Sequence, residues 1–197
     1  GIDGKIEKYN NSKLTALAND YVANVKYVDK CIGDYIQKLK NNGLYDDSII
    51  IIYGDHTSTL LKPDTESLTH LDYKDIEFRM EMQNVPFIIL GDKIPNIKDN
   101  SVHSNVDIFP TIAALFGFKP EYNFGVDMFS NESSFAYSPR SLDLIFDDYT
   151  IITASKTIYY ISNDINKISK KEMDKIIDWF LEYKYCNDLI VATNYFK

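Results

Sequence analysis

Asp55 and His56 stand together directly after the run Ile49-Ile50-Ile51-Ile52-Tyr53-Gly54, so a carboxylate and an imidazole offer a cation one hard oxygen and one nitrogen. That mixed donor set suits Mn²⁺, Zn²⁺ or Mg²⁺ better than a thiolate-seeking metal. The alternative for the dipeptide is a turn held by an Asx hydrogen bond. Its position favours the metal. Four consecutive isoleucines are too apolar for a strand with one wet face, so they read as the interior of a parallel sheet covered on both sides. Open α/β sheets bind ligands in the crevice beyond the carboxyl ends of their strands, which is where Asp55 and His56 would stand.

The elements that must position this pair are legible on either side of it. Leu14, Leu17, Tyr21, Val25, Val28, Ile32, Tyr35 and Leu39 recur at intervals of three and four, which predicts a long amphipathic helix over 13–40. Asn41-Asn42-Gly43 would end it. A strand over 48–53 follows, then a polar connection over 57–84, longer than usual and with room for a short helix. Val85-Pro86-Phe87-Ile88-Ile89-Leu90 is a second buried strand, its proline near the start where a missing donor is tolerated. Ser104-Asn105-Val106-Asp107 has the spacing of a capping box for a helix running through Leu115, with Pro110 in its first turn and Gly117 as its stop. Asp107 therefore reads as a cap.

Beyond about Tyr122 the pattern changes. Segments 142–145, 150–153 and 157–161 are short and joined by tight polar turns, which predicts an antiparallel meander. Ser169-Lys170-Lys171-Glu172 is a second capping box, and Met173, Ile176, Ile177, Phe180 and Leu181 give the following helix an apolar face. The fold class is thus α/β, a parallel-type central sheet covered by helices, with a small C-terminal subdomain of antiparallel sheet plus helix. The boundary falls between residues 1–122 and 123–197.

Composition narrows the function classes. With 197 residues, 45% of them hydrophobic, the chain is long enough to bury a substantial core. A net charge of −8 argues against nucleic acid as a partner, since phosphate backbones need a basic face. No apolar run approaches the length of a membrane span, so the chain reads as soluble as it stands. It opens at Gly1 in place of methionine and so reads as a portion of something longer. Cys31 and Cys186 have no Cys-x-x-Cys spacing and read as packing residues. Tyr159, Tyr160, Trp179, Phe180 and Tyr183 are likewise assigned to packing, and Arg79 and Arg140 to the surface.

Several motifs in register then resemble a known family. Tyr27-Val28-Asp29, Gly33-Asp34-Tyr35-Ile36, Gly43-Leu44-Tyr45-Asp46-Asp47-Ser48 and Tyr53-Gly54-Asp55-His56 are similar to the lipoteichoic acid synthase branch of the sulfatase and alkaline phosphatase superfamily. Val85-Pro86-Phe87-Ile88-Ile89, Val106-Asp107-Ile108-Phe109-Pro110-Thr111-Ile112, Leu115-Phe116-Gly117, Gly125-Val126-Asp127-Met128-Phe129 and Asp147-Asp148-Tyr149-Thr150 continue it in the family's order. The resemblance implies an enzyme on the extracellular face of a bacterial cell membrane that moves phosphoglycerol from a lipid onto a polymer acceptor through a covalent threonine. It implies one divalent ion, usually Mn²⁺, with Mg²⁺ or Zn²⁺ as alternatives, held by a glutamate, that threonine and an Asp-His pair.

Only Asp55 and His56 have counterparts in this chain. The glutamate and the nucleophile belong to an N-terminal half of the family's domain that is missing here, so no catalytic residue is assigned and membrane contact falls to absent segments. Residues 1–122 then correspond to the C-terminal half of a sulfatase-like catalytic domain, expected to be inactive alone. His70 stands at the distance beyond the pair where related phosphoethanolamine transferases carry a phosphate-contacting histidine, with a solvated loop residue as the alternative. His103 precedes a helix where superfamily members carry a metal- or phosphate-binding histidine, and the helix N-terminus beside it favours an anion. Thr57-Ser58-Thr59-Leu60 departs from the small or aromatic residue that usually follows the pair. The competing functions are a sulfatase or phosphodiesterase-type hydrolase, with water as acceptor, and a non-catalytic fragment or paralogue.

Overall fold

The computed structural model describes residues 6–72, 74–161 and 166–195. The chain divides into two compact units, Gly1–Lys98 and Asp99–Lys197.

In the first unit the long helix α1 spans Ala16–Asn41 and begins where Thr15 can cap it, its hydroxyl accepting from the Ala18 amide. Lys38 and Lys40 in the last turn complement the helix dipole. Gly43, with φ of +65°, takes the chain out beyond the Asn42 cap. Thr15 is held in turn by Asp64, a buried residue in the first turn of α2 (Lys62–Thr69). Its two carboxylate oxygens accept from the Thr15 amide at 2.8 Å and the Thr15 hydroxyl at 2.7 Å. The long polar connection therefore carries two short helices, α2 and α3 (Ile76–Glu81), and the first of them anchors the start of α1.

The strands β1 (Ile50–Tyr53) and β2 (Phe87–Leu90) pair as expected, but antiparallel, with Ile50 opposite Leu90 and Tyr53 opposite Phe87. This corrects the parallel arrangement. A parallel neighbour needs a crossover that carries the chain back along the sheet. Here the connection leaves the carboxyl end of β1 and re-enters at the same end, where the Gly54 amide extends the ladder by donating to the Pro86 carbonyl at 2.9 Å. Nor is the isoleucine run covered on both sides: Ile50, Ile51 and Ile52 are half-buried and Tyr53 is exposed. On α1 burial falls on Ala18 and Ala23, whereas Leu17, Tyr21, Val25, Val28 and Tyr35 of the apolar stripe are exposed.

The second unit holds the cluster of buried hydrophobic residues found among the described residues: Leu144, Ile151, Met173, Ile177 and Phe180. A 3₁₀ turn, Asn105–Asp107, leads into α4 (Ile108–Leu115), which Gly117 terminates at φ +76°. The meander is β3 (Ala136–Tyr137), β4 (Leu144–Ile145), β5 (Tyr149–Ile152) and β6 (Thr157–Tyr160), antiparallel throughout. Helix α5 (Lys170–Thr193) opens with the reciprocal capping box, Ser169 Oγ accepting from the Glu172 amide at 3.2 Å and Glu172 Oε2 accepting from the Ser169 amide at 2.7 Å. Its Met173, Ile177 and Phe180 are buried, while Trp179 and Leu181 stay exposed. Cys31 is half-buried, but Cys186 is exposed on α5, which corrects its assignment to packing.

Tyr183 shows how this unit is tied. Its hydroxyl donates to the Phe124 carbonyl at 2.9 Å and its ring meets Phe124 edge-on. Burial pushes its pKa up to about 12, so the proton needed for that bond is kept throughout the physiological range.

Candidate functional site

Asp55 and His56 lie in the bend just past β1, both exposed, the side chains 84% and 73% respectively. Gly54 is required where it stands, because a Cβ there would lie 2.8 Å from Val85 Cβ and 3.2 Å from Pro86 Cδ. The chain after β1 is thereby pressed against the entry to β2, and the pair projects from that junction.

The imidazole has one ring nitrogen engaged. His56 Nδ1 is 2.8 Å from the Thr57 carbonyl, which can only accept, so Nδ1 carries the hydrogen. In the neutral ring that leaves the Nε2 lone pair free, and Nε2 lies 3.6 Å from Asp55 Oδ1. A backbone carbonyl that accepts from the non-coordinating ring nitrogen is a usual outer partner of a metal-bound histidine. The two residues thus fit as part of a ligand set. Among the described residues no group of three or more His, Cys, Asp or Glu is arranged to hold a metal ion.

His70 forms the C-cap of α2 in the left-handed region, at φ 62°, its amide donating to the Glu66 carbonyl at 2.8 Å. This is a structural duty of its backbone. It leaves the exposed side chain available for other contacts.

His103 belongs to the second unit. Its Nε2 is 3.0 Å from Asp99 Oδ2 and its Nδ1 is 3.7 Å from Asp107 Oδ2, with Nδ1 buried and lacking a hydrogen-bond partner. It lines a cleft of about 230 Å³ together with Asp99, Ser101, Glu132, Ser134 and Asp147. Asp147 is fixed there by the Val102 amide. The cleft lining carries three carboxylates, Asp99, Glu132 and Asp147, with Asp107 a fourth beside the one imidazole, a charge balance that repels a bare anion and suits hydroxyl groups or a cation.

Asp99 is held well below the usual carboxylate range, at about 2. The amide of Ser101, donating to Oδ1 at 2.8 Å, is the largest cause, followed by the Ser101 hydroxyl and then His103. Because the folded pKa is depressed, the stabilisation is present above the ordinary carboxylate value of about 4 and is lost as pH falls from there toward 2. Carbon-detected NMR titration should give a midpoint near 2 for Asp99, with His103→Ala raising it only in part because the Ser101 amide remains. A full return to the ordinary value in that variant would show that His103, not the turn, controls Asp99.

The sequence motifs hid one further cluster. Asp107 is 1% exposed and its carboxylate accepts three hydrogen bonds: from the Ser104 amide (2.8 Å) and the Ser134 hydroxyl (2.5 Å) on Oδ2, and from the Val126 amide (2.8 Å) on Oδ1. One turn on, Thr111 Oγ1 donates to the Asp107 carbonyl at 2.6 Å and accepts from the Met128 amide at 2.9 Å. Residues i and i+4 of a helix start thus bind alternate amides of the segment 125–129. Asp107 is more than a cap, and the spacing of Asp107, Thr111 and Gly125-Val126-Asp127-Met128 was the available signal.

Among the described residues no helix is long and apolar enough to cross a membrane. A family model described as Sulfatase matches residues 3–118. The lipoteichoic acid synthases of Staphylococcus aureus strains USA300, NCTC 8325 and COL are each 30% identical to this chain over 198 residues. The alignment covers 89% of this chain and 28% of each relative, so the chain spans little more than a quarter of their length. The family match takes in both strands of the first unit, the Asp55-His56 bend and helix α4, more than half of the residues, and the chain belongs to the sulfatase family.

Proposed function

We propose that this chain is the metal-binding C-terminal portion of a phosphoglycerol transferase of the lipoteichoic acid synthase type. The donor would be a phosphoglycerol lipid and the acceptor the terminal hydroxyl of a growing polymer, at the outer face of a bacterial membrane reached through segments outside this chain. The observation that carries the reading is the Asp55-His56 pair, with Nδ1 committed to the Thr57 carbonyl and the Nε2 lone pair beside a carboxylate. The similarity to lipoteichoic acid synthases over 89% of the chain supports the choice of reaction class.

Asp55 and His56 would hold one divalent ion, Mn²⁺ in the first instance, which when bound would lower the pKa of a nucleophile and stabilise charge on phosphoryl oxygens. Asp55 supplies anionic charge to that site and His56 a neutral donor whose orientation the Thr57 carbonyl maintains. His103 and its neighbours offer hydrogen bonds suited to the hydroxyls of a glycerol unit. His70 would reach substrate from the end of α2. The nucleophile and the remaining ligands lie outside this chain, which is therefore inactive alone. A hydrolase of the same family would use the same pair and water as acceptor.

Titration calorimetry with Mn²⁺ is expected to show weak binding to the chain, abolished by Asp55→Ala, since two protein donors leave the other positions to water. The same samples should not hydrolyse a chromogenic phosphodiester. Sub-micromolar binding that survives Asp55→Ala would sink the metal assignment, and hydrolysis lost on Asp55→Ala would show that a nucleophile lies within these residues.

A further inference from the structure

Asp64 is 2% exposed, yet it takes no part in the metal chemistry proposed for its neighbours. It stands in the first turn of α2, nine residues beyond Asp55. A carboxylate in a first turn ordinarily serves the free amides of its own helix start. Here Leu61, the cap of α2, makes no side-chain bond, and Asp64 is turned to another element. Both of its oxygens accept from Thr15, 49 residues earlier, one from the amide at 2.8 Å and the other from the hydroxyl at 2.7 Å. Because the Thr15 hydroxyl also accepts from the Ala18 amide, one buried carboxylate joins the starts of α1 and α2.

Between this joint and the sheet lies the bend that carries Asp55 and His56. At its entry the Gly54 amide donates to the Pro86 carbonyl, and at its exit the Leu61 carbonyl accepts from the Thr65 amide at 3.0 Å and the Thr65 hydroxyl at 3.2 Å. Among the described residues, 55–61 make no other hydrogen bond to the rest of the chain, since the contact of His56 with the Thr57 carbonyl is internal to the bend. A segment fixed only at its ends takes its course from where those ends are held, and a ligand pair is as well placed as its support. The sheet fixes the entry. We infer that Asp64 fixes the exit and is a positioning residue of the Asp55-His56 centre, acting on it by locking the start of α2 against the start of α1. That the centre holds a metal rests on the phosphoglycerol transferase reading; the joint that positions it rests on the geometry alone.

The test uses the full 197-residue chain and two nuclear magnetic resonance readouts. Long-range proton–nitrogen spectra of the neutral His56 ring, without metal, report which nitrogen carries the hydrogen, and titrated Mn²⁺ broadens the amide signals of residues around the ion. In the unsubstituted chain the hydrogen is on Nδ1. Asp64→Ala is expected to turn the ring into a mixture of both tautomers and to raise the Mn²⁺ concentration for half-broadening at Asp55 and His56 by ~10-fold. Asp64→Asn still offers an acceptor to the Thr15 amide and an NH₂ to the Thr15 hydroxyl oxygen, so it should stay close to the unsubstituted chain in both readouts. Thr15→Ala, which keeps the amide and removes the hydroxyl, should shift both in the direction of Asp64→Ala and add little when combined with it. If Asp64→Ala does not fold, Thr15→Ala carries the test. Folded variants that melt lower but keep the His56 tautomer and the Mn²⁺ response would reduce Asp64 to a structural role and overturn the inference, as would an Asp64→Asn loss equal to that of Asp64→Ala. An unsubstituted chain without Mn²⁺ broadening at Asp55 and His56 would count against the functional reading, and the tautomer would then decide the inference by itself.

Discussion

Replacing Asp107 with alanine is expected to cost the second unit about 3–5 kcal/mol, a large fraction of the ~5–15 kcal/mol that holds a typical domain folded. The carboxylate is buried and serves the Ser104 amide, the Val126 amide and the Ser134 hydroxyl at once. Truncation leaves these donors facing a cavity, and an unsatisfied buried donor costs about 1–3 kcal/mol. Asp107→Asn separates the contributions. If the amide oxygen takes the Oδ1 position it can still accept from Val126, and the NH₂ can donate to the Ser134 hydroxyl oxygen but meets the Ser104 amide donor, so about half of the loss is expected. Chemical denaturation gives the size of the effect, and hydrogen exchange at Ser104 and Val126 locates it. An unchanged denaturation midpoint for Asp107→Ala would show that water or a neighbour replaces the carboxylate without penalty.

Gly125→Ala is expected to be as damaging for a different reason. A Cβ at this position would lie 2.3 Å from the Val106 carbonyl oxygen, 2.5 Å from its carbon and 2.7 Å from Asp107 Cα. These are backbone atoms at the entry to α4, so no side chain can swing aside to relieve the contact. The segment 125–129 must then lift from the helix start, which breaks the Val126 bond to Asp107 and the Met128 bond to Thr111 together. A loss of about 3 kcal/mol or more follows from overpacking plus two lost buried bonds. Since both substitutions disable one clamp, the double variant Asp107→Ala, Gly125→Ala should lose clearly less than the sum of the two. Strict additivity in a double-mutant cycle would mean that glycine and carboxylate act independently, contrary to the geometry.

Which parts of this protein its sequence determines depends on the range over which the signal acts. Asn42, Gly43, Gly117 and the Ser169–Glu172 box set helix limits through contacts within four residues, and each operates where it was read, whereas the start of α1 at Thr15 in place of residue 13 was not read. The meander from 144 to 160 has the same legibility, because short apolar segments joined by tight turns have little choice but to pair with the next, whereas the two-residue strand β3 ahead of it went unread. The Asp55-His56 bend after a strand belongs to this group too.

Tertiary structure alone decided the rest. Whether β2 runs with or against β1 depends on how a connection of over thirty residues returns, and apolar composition is the same for either direction. The periodicity of α1 marks a face that must be covered without saying by what, and in this chain the cover falls on small residues while the larger stripe stays open. Asp107 looked like a cap because its bond to Ser104 is local, whereas its bonds to Val126 and Ser134 span 19 and 27 residues and exist only once the chain has folded back. Local capping and pairing are written in neighbouring residues; the partners of a buried carboxylate and the cover of an apolar face are chosen by packing, which no short stretch of sequence contains.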